Sequence, residues 1–417
     1  MFSEYRGIPA QARTLIYLSF IPNIAIGFIY TDLAFFLPKI QGLTPGSTGI
    51  VIGALGVTLV AESIPFGIFA DRYGRRKMLF LGNLCASLSL IGFALTTDFS
   101  MILIFAILEG TGEAAYAVSV GALLAEKAGD AKRTSAFSLL AFLGWVAGAL
   151  GGFIISSVLV LQSLGLDARQ SHIILYAAVG LLSLSITPLF FFVKEGATTT
   201  HRKEILPRKS SRVLKRFVAY SVLIAVGAGL FVPIMTYWFA AAYGVSDGVS
   251  GPILGITNLL TAGVVFLSPR LARRFGLVKA TVLTQASSTL FMALVPSSPT
   301  FAIAASLYLV RVFLMNLSNP LTQSLIMGLV SPDERGMASG ITASTWRLPN
   351  SLSSYVGLVL IGGGFISLPF YIATVLYIVG ISLYWFMFRD AVLPEEARTS
   401  SQAAIQSSSR EGPEVER

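Results

Sequence analysis

Charged residues, cysteine and histidine are all scarce in this sequence. Only 12% of the 417 residues are charged and 54% are hydrophobic, whereas soluble domains contain about 25% charged residues. The composition therefore excludes an ordinary soluble domain and indicates a protein embedded in a lipid bilayer. The single cysteine, Cys85, excludes an internal disulfide bond, and the two histidines show no spacing typical of a metal site.

Motifs for nucleotide-driven or catalytic chemistry are also absent from the sequence. It contains no Gly-Lys-Ser/Thr phosphate-binding loop, which argues against ATP-driven transport, and no Ser-His-Asp pattern. The net charge of +9 would suit a nucleic-acid partner, but the basic residues lie in short loops beside apolar segments, which is typical of membrane topology. We therefore expect no enzyme activity, no cofactor, no metal and no nucleic-acid partner.

Long apolar segments follow one another along almost the whole chain. A membrane-spanning helix needs about 20 mainly apolar residues, and the sequence contains twelve such segments, which predicts an all-α polytopic protein. The first segment is too long for the apolar core of a signal peptide, so we expect it to be retained. The twelve predicted spans are 14–37, 47–70, 78–96, 100–125, 134–160, 172–193, 217–241, 250–269, 280–296, 300–328, 338–361 and 368–388.

Lysine and arginine fall almost entirely on one side of these spans. Lys39 and Arg169 are the only ones in loops of the opposite side, and Arg311 and Arg347 lie within predicted spans. Because positive residues favour the cytoplasmic side, the sequence predicts a multi-pass cell-membrane protein with both termini in the cytoplasm. The predicted organisation is a six-helix bundle over 1–193, a basic cytoplasmic linker over 194–216, a second bundle over 217–390 and a disordered tail over 391–417.

A charged loop between the second and third predicted spans recurs once in the chain. The loop Gly67–Lys77 reads GIFADRYGRRK, and a degenerate copy, ARRFGLVK, begins at Ala272. The offset of 202 positions also relates Arg133 to Arg335, so we expect two similar halves with a binding site at their interface. Within the loop, Ala70, Arg72, Gly74 and Lys77 match Ala272, Arg274, Gly276 and Lys279.

These features resemble the major facilitator superfamily of secondary transporters. The family's loop between helices 2 and 3 reads G-x-x-x-D-[RK]-x-G-R-[RK]-[RK]. The resemblance implies two six-helix bundles, alternating access to a central site and a cytoplasmic gate at this loop. The loop residues that match are Gly67, Asp71, Arg72, Gly74, Arg75, Arg76 and Lys77, and the related gate positions are Arg133, Arg274, Gly276 and Arg335.

Two segments depart from the patterns of the family's efflux members. In the fourth predicted span, Ala106 and Glu109 occupy the positions of the efflux motif's arginine and glutamine. In the fifth, the segment AGALGG that ends at Gly152 lacks the motif's proline. Both departures weaken a drug-efflux interpretation and leave the fold prediction unchanged.

The charged loop has two alternative roles. Gly74 permits a tight reversal of the chain, and Gly67 permits a close helix contact. In one hypothesis Asp71 accepts hydrogen bonds from the other half and latches the cytoplasmic side in one state. In the other, the loop only sets topology and binds lipid headgroups through its cations.

Six ionisable residues lie at membrane depth, where such groups usually face a cavity or a partner. Glu109 and Arg311 are separated by the same 202 positions, so we expect them to face each other across the central cavity. Glu109 and Glu113 share one face of a helix, and two carboxylates so placed resist double ionisation. The six residues are Asp32, Glu62, Glu109, Glu113, Arg311 and Arg347.

The carboxylate pair has three alternative roles. In the first, Glu113 or the pair carries the coupling proton, while Arg311 or Arg347 favours the ionised form. In the second, a fixed Glu109–Arg311 salt bridge only holds the two halves in register. In the third, the pair contacts the substrate directly.

The remaining acids allow more than one position. Asp32 lies in the outer third of the first span, where it either belongs to the cavity or is simply solvated. Glu62 lies about two turns from Asp71 on the same helix, where it either supports the gate or lines the cavity.

Polar and aromatic residues complete the candidate cavity. Asn316 and Asn319 precede a proline in the tenth span, and a kink there would free carbonyl groups for ligand contact. Trp346 is expected to be an aromatic wall beside Arg347. Tyr237 and Trp238 are either further cavity walls or interfacial anchors.

The resulting hypothesis is a monomeric secondary transporter for a small organic solute, coupled to protons. Four acids against two arginines at membrane depth predict a net negative cavity, which favours cationic or amphipathic substrates and efflux by proton antiport. Two alternatives stay open. One is symport or uniport of an anionic metabolite, and the other is a receptor, scaffold or membrane enzyme with this fold that does not transport.

Overall fold

The chain is helical throughout the part that the structure describes. This computed structural model describes residues 7–195, 210–331 and 334–391, and no strand occurs among them. Most of the predicted linker and of the predicted tail lie outside the described residues. The long helices are α1 (Ala10–Ile40), α2 (Pro45–Tyr73), α3 (Arg75–Leu95), α4 (Phe99–Gly129), α5 (Ala131–Ser163), α6 (Ala168–Phe192), α7 (Ser211–Tyr243), α8 (Asp247–Phe275), α9 (Leu277–Ser297), α10 (Phe301–Leu329), α11 (Arg335–Gly362) and α12 (Leu368–Phe388).

Ten of these helices are long and apolar enough to cross a membrane, within the described ranges. α8 becomes an eleventh when its two parts, Asp247–Val264 and Leu267–Phe275, are taken as one span with a bend of 55°. α11 has 28 residues, but serine, threonine, asparagine and arginine recur along it. The predicted all-α polytopic fold is confirmed, and α11 forms a helix at the predicted eleventh span, although its polar side chains, several of them on the cavity wall described below, lower its hydropathy.

Two glycines make the matching turns of the two halves, the N half (α1–α6) and the C half (α7–α12). Gly74 joins α2 to α3 with φ +108°, and Gly276 joins α8 to α9 with φ +76°, a region that favours glycine. The predicted reversal at Gly74 is confirmed, together with its repeat. A Cβ at Gly67 would meet only Val118, at the ordinary distance of 3.7 Å, so the predicted close helix contact at Gly67 is wrong.

Each half buries aromatic residues of its own. In the N half, the rings of Phe36 and Tyr176 stack with centroids 4.2 Å apart. In the C half, Trp238 packs on Phe370 with centroids 4.8 Å apart. Tyr237 and Trp238 are both buried and neither lines the large cavity described below, so the interpretation of these two residues as cavity walls is wrong.

Glycines bring the two halves together at one end of the molecule. We call the end that carries Gly74 and Gly276 the hinge side, and the opposite end the far side. On the far side, a Cβ at Gly49 of α2 would lie 2.7 Å from the Cα of Tyr355 of α11. A Cβ at Gly152 of α5 would lie 2.8 Å from the backbone nitrogen of Gly255 of α8. The α2–α11 and α5–α8 seams are thus backbone contacts that only glycine permits.

Candidate functional site

A cavity of about 780 Å³ lies between the two halves. Its wall extends to Gly121 and Phe137, near the adjoining hinge-side ends of α4 and α5. The two glycine seams close it on the far side, so the structure has its cavity facing the hinge side. The volume lies within the range of about 300–1,000 Å³ that is usual for small-molecule sites.

The cavity wall combines aromatic rings with amide groups. Tyr30, Trp145 and Trp346 supply the rings, and Asn23 and Asn258 supply amides among mainly aliphatic neighbours. The prediction that Trp346 is an aromatic wall is confirmed. A wall of this composition suits an amphipathic organic molecule, because apolar surface provides affinity and a few polar groups fix orientation.

Three side chains from three helices meet on this wall. Glu113 of α4 accepts a hydrogen bond from the Tyr30 hydroxyl of α1 at 2.6 Å and another from Nη1 of Arg347 of α11 at 2.7 Å. The Arg347 side chain is 45% exposed, whereas that of Glu113 is 6% exposed. The pair therefore joins the two halves through a charge-assisted bond that the cavity reaches from the arginine side.

The charges on the described cavity wall are balanced. Glu113 and Arg347 are its charged members, whereas Asp32, Glu62 and Glu109 do not line it. The prediction of a net negative cavity is therefore wrong, because three of the four acids lie outside its wall. The inference of a cationic substrate depended on that net charge and therefore has no support.

Glu109 lies behind Glu113 in a small pocket of the N half. The pocket measures about 10 Å³, room for about one water molecule. Both carboxylates line it, which confirms that they share one face of α4. Glu109 is 1% exposed and accepts a hydrogen bond from the Ser89 hydroxyl of α3. Glu113 thus separates the large cavity from Glu109.

Arg311 is buried inside the C half and does not meet Glu109. Its Nη2 donates to the Tyr377 hydroxyl at 2.7 Å, and its guanidinium lies 4.9 Å from the ring centroid of Phe231. The predicted Glu109–Arg311 pair is therefore wrong in this structure. Equivalent positions of two repeats meet only near their shared axis, whereas these two side chains point into their own halves.

Asp32 belongs to a second cluster, with His172 and Asp247 near the far side. It is fully buried and outside the cavity wall, so both expectations for it, a cavity position and simple solvation, are wrong. The Tyr176 hydroxyl donates to Oδ2 of Asp32 at 3.0 Å. Nε2 of His172 in the N half lies 2.7 Å from Oδ2 of Asp247 in the C half. The two halves are therefore joined a second time.

Three other predicted cavity residues lie elsewhere. Glu62 is partly buried, and its Oε2 is shielded without a hydrogen-bond partner among the described residues. Asn316 donates to the Thr261 hydroxyl of α8 at 2.9 Å and accepts from the Asn319 amide at 2.9 Å. Since none of the three lines the cavity, their prediction as cavity residues is wrong.

On the hinge side, Asp71 contacts its own loop. Its Oδ1 accepts from Nη2 of Arg75 at 2.9 Å, and Nη1 of Arg75 also contacts Glu126 of α4 at 3.3 Å. The backbone N–H of Arg75 donates to the carboxylate of Glu195. These contacts involve only the N half and Glu195 just after α6, so Asp71 forms no latch to the other half among the described residues. The latch stays a prediction for the state in which the hinge side is closed.

The other predicted gate residues lie around this loop and its copy. Arg76 donates to the carbonyl of Phe191 at 3.3 Å, and its guanidinium lies 5.3 Å from the ring centroid of Phe191. Arg335 begins α11, but its side chain lies outside the described part of the structure. The side chains of Arg72, Lys77, Arg133 and Arg274 are exposed, as is that of Asp71.

Sequence reasoning missed Tyr30, Trp145 and His172. Trp145 had a signal, because adding 202 to 145 gives 347, which makes it the repeat equivalent of Arg347, and both line the cavity. The contact of Tyr30 with Glu113 depends on how α1 packs on α4, for which the sequence has no signal. The partner of His172 is 75 residues away on a helix of the other half.

Comparison with known proteins places this arrangement in one family. The sequence profile described as Major Facilitator Superfamily matches residues 15–354 and 221–412. Multidrug resistance protein 2 of Bacillus subtilis (strain 168) is 23% identical over 381 residues, which cover 87% of this chain and 92% of that protein. The structure of the nucleoside transporter NupG matches with a TM-score of 0.73 at 16% identity, covering 91% of this chain and 99% of that one. The structure of the D-xylose-proton symporter matches with a TM-score of 0.71 at 13% identity, covering 89% and 97%. With its helical halves, central cavity and repeated glycine turn, the chain belongs to the Major Facilitator Superfamily of transporters.

Proposed function

We propose that this protein exports small amphipathic solutes across a cell membrane in exchange for protons. The observation that carries this proposal is the Glu113–Arg347 pair, which joins the two halves at the cavity wall. A relative named for multidrug resistance supports an amphipathic cargo. In the same proposal the protein acts as a monomer, its hinge side and termini face the cytoplasm, and the proton is the coupling ion.

Protonation of Glu113 is the step that loosens the two halves. The ionised carboxylate binds Arg347 and Tyr30 at 2.7 Å and 2.6 Å. A proton on this carboxyl removes the negative charge that the guanidinium binds, so the bond between the halves weakens. Because a ligand shifts a conformational equilibrium only by its differential affinity, the proton favours the state in which the pair is broken.

A solute in the cavity competes for the same carboxylate. Arg347 is 45% exposed on the cavity side, and a hydrogen-bond donor or a positive group on the solute replaces it at Glu113. Proton and solute then exclude each other from one carboxylate. Mutual exclusion of this kind gives antiport, since each occupant leaves on the side where the other arrives.

Glu109 provides a second proton position that the solute does not reach. It shares the one-water pocket with Glu113, and two neighbouring carboxylates in an apolar setting resist simultaneous ionisation. We assign to Glu109 the proton that remains when Glu113 is ionised and bound to Arg347. This arrangement keeps the pocket neutral while Glu113 changes its partner.

A second candidate is proton symport of a neutral polar solute. The amides of Asn23, Asn258 and Asn350 on the cavity wall are suitable partners for hydroxyl groups, and the balanced cavity charge suits an uncharged molecule. The structural neighbours include a nucleoside transporter and a D-xylose-proton symporter. The two candidates differ in the direction of proton movement relative to the solute.

Proteoliposomes with a trapped pH indicator separate the two candidates. When solute flows into the vesicles, antiport moves protons out and makes the lumen alkaline, whereas symport makes it acidic. The panel contains amphipathic cations, nucleosides and sugars, applied without an imposed pH gradient. We expect an alkaline lumen with amphipathic solutes. An unchanged lumen across the whole panel would contradict proton coupling.

Glu113→Gln tests the coupling residue. Glutamine keeps the shape of the side chain but cannot be titrated, so we expect gradient-driven transport to fall about 100-fold, equivalent to ~2.7 kcal/mol. Solute counterflow, which needs no net proton movement, is retained. The control Asp390→Asn changes an exposed acid at the end of α12 and leaves both rates unchanged. Undiminished driven transport in Glu113→Gln would exclude Glu113 as the coupling site.

A further inference from the structure

We propose that Asp32, His172 and Asp247 form a binding site for a divalent transition-metal ion such as Zn²⁺, placed between the two halves on the far side. One potential ligand atom from each residue lies within 4.8 Å of the other two. The three residues come from α1, α6 and α8, and each is at most 1% exposed. Buried acids and histidine are rarely grouped in this way without a partner of opposite charge.

The histidine is oriented as metal ligands usually are. Its Nδ1 lies 2.6 Å from the carbonyl oxygen of Ala168, and because a carbonyl can only accept, Nδ1 carries the proton that is donated. Nε2 is then the ring atom that faces the carboxylates: it shares a proton with Oδ2 of Asp247 at 2.7 Å, and on metal binding it would give up that proton and offer its lone pair. A ligating histidine typically donates its other N–H to a backbone carbonyl in this manner.

Asp32 is also oriented by a neighbouring group, and one of its oxygens has no partner in the part of the chain that the structure describes. Oδ2 of Asp32 accepts from the Tyr176 hydroxyl at 3.0 Å, which orients the group. Oδ1 of Asp32 is buried without a hydrogen-bond partner among the described residues, although its carboxylate faces the other two groups. A buried acceptor without a partner, beside a second carboxylate, is an independent indication that the cluster suits a cation.

Charge and ligand type favour a divalent transition metal. Two carboxylates and a neutral imidazole carry two negative charges, which one divalent ion neutralises. The mixed nitrogen and oxygen set suits Zn²⁺ and its neighbours, whereas Mg²⁺ and Ca²⁺ prefer oxygen ligands. Metal–ligand distances of about 2.0–2.2 Å require His172 and Asp247, now 2.7 Å apart, to move apart by less than about 1 Å.

Bound metal would hold the far side closed. Asp32 and His172 belong to the N half and Asp247 to the C half, so the ion would bridge the halves beside the α5–α8 seam. A ligand that binds one conformation better shifts the population toward it. Zn²⁺ is therefore expected to favour the conformation with the cavity facing the hinge side and to slow turnover.

Direct binding is measured on the purified full chain in detergent, without a histidine tag. We expect Zn²⁺ to bind with a stoichiometry of one by calorimetry, and Co²⁺ to give the visible absorption of a low-symmetry nitrogen and oxygen site. Asp32→Asn, His172→Gln and Asp247→Asn should each weaken binding at least 100-fold. His201→Ala, which removes the chain's other histidine, is the matched control and should bind normally.

Folding and binding are read separately, so a failure to fold does not hide the answer. Each variant is first checked for a single size-exclusion peak, and Tyr176→Phe, which removes only the orienting hydroxyl, serves as a mild second variant with an expected loss of several-fold. Unchanged Zn²⁺ affinity in Asp32→Asn and His172→Gln, or no binding by the wild-type chain, would overturn the site. The His172–Asp247 contact would then be a hydrogen-bonded pair alone. Since transport is not measured, this result is independent of the proposed exporter function.

Discussion

Two polar contacts with the same distance between their atoms join the two halves of this protein, but their side chains differ in exposure. Glu113 and Arg347 meet at 2.7 Å on the cavity wall, where the arginine side chain is 45% exposed. His172 and Asp247 also meet at 2.7 Å, but each side chain is only 2% exposed. A pair with its arginine open to the cavity can exchange that partner, whereas a pair that is buried on both sides loses much when a single partner is removed. The difference supports the proposed reversible coupling at the first pair and the proposed closure of the far side at the second.

Asp247→Ala is the substitution with the largest expected effect, and it tests whether the two pairs contribute differently to stability. It leaves His172 without its partner in a buried setting, so we expect a loss of about 3–5 kcal/mol in stability, read as a large fall in the thermal unfolding temperature in detergent. Arg347→Ala should lower the same temperature less, because Glu113 keeps the Tyr30 hydroxyl as a partner and the arginine side of this pair is open to the cavity. Equal shifts for the two variants would refute the assigned difference.

The cavity pair is tested by a double-mutant cycle on transport. Arg347→Ala should lower gradient-driven transport about tenfold, equivalent to ~1.4 kcal/mol, because the carboxylate loses the partner that the proton displaces. In the Glu113→Ala background the same change should have little further effect. Arg169→Ala, in the exposed first turn of α6, is the control. Strict additivity of the two defects would show that the residues act separately.

Gly152→Ala tests whether the α5–α8 seam on the far side determines which conformation the protein adopts. The added methyl would lie 2.8 Å from the backbone of Gly255, and overpacking of this kind costs about 1–3 kcal/mol, here only in the closed far-side state. Because this cost disfavours the conformation whose cavity opens to the hinge side, a reporter cysteine on the cavity wall should become less accessible. We therefore expect Phe137→Cys, made in a Cys85→Ser background, to be alkylated more slowly. Gly263→Ala is the matched control, because no atom lies within 4 Å of its added Cβ. Identical alkylation in both variants would show that the seam does not set the conformation.

The smallest effect on stability is expected for Asp71→Asn. Asp71 is 48% exposed and pairs with Arg75 four residues along, so the change should alter stability by less than about 1 kcal/mol. If Asp71 latches the hinge side in the other conformation, transport should nevertheless fall several-fold. Asp390→Asn removes an acid from the comparable exposed Arg389–Asp390 pair and should leave transport unchanged. A normal transport rate in Asp71→Asn would exclude the latch.

Local features were predictable from the sequence because they depend on neighbouring residues. Helix positions follow from apolar length, and the reversals at Gly74 and Gly276 follow from the repeated loop. The face shared by Glu109 and Glu113 follows from helical spacing alone. In α11 the length of the segment predicts the helix, but the hydropathy is lower than expected because some of its polar side chains line the cavity.

Contacts between helices were not predictable in the same way. The offset of 202 relates Glu109 to Arg311, but it says nothing about their distance from the axis between the halves. The cluster of Asp32, His172 and Asp247 depends on the mutual packing of α1, α6 and α8, which no local pattern encodes. The acids were therefore expected to share one cavity but lie at separate sites, and the cavity is not net negative as expected.

The glycine seams affect how the protein can change over generations. The far side closes through Gly49 and Gly152, neither of which lines the cavity, whereas Tyr30, Trp145 and Trp346 form the wall that a bound solute would contact. A substitution on the wall changes which molecules are accepted while the seams still close. A substitution in a seam changes how long each conformation lasts while acceptance stays the same. Specificity and speed can therefore be inherited and selected as separate traits.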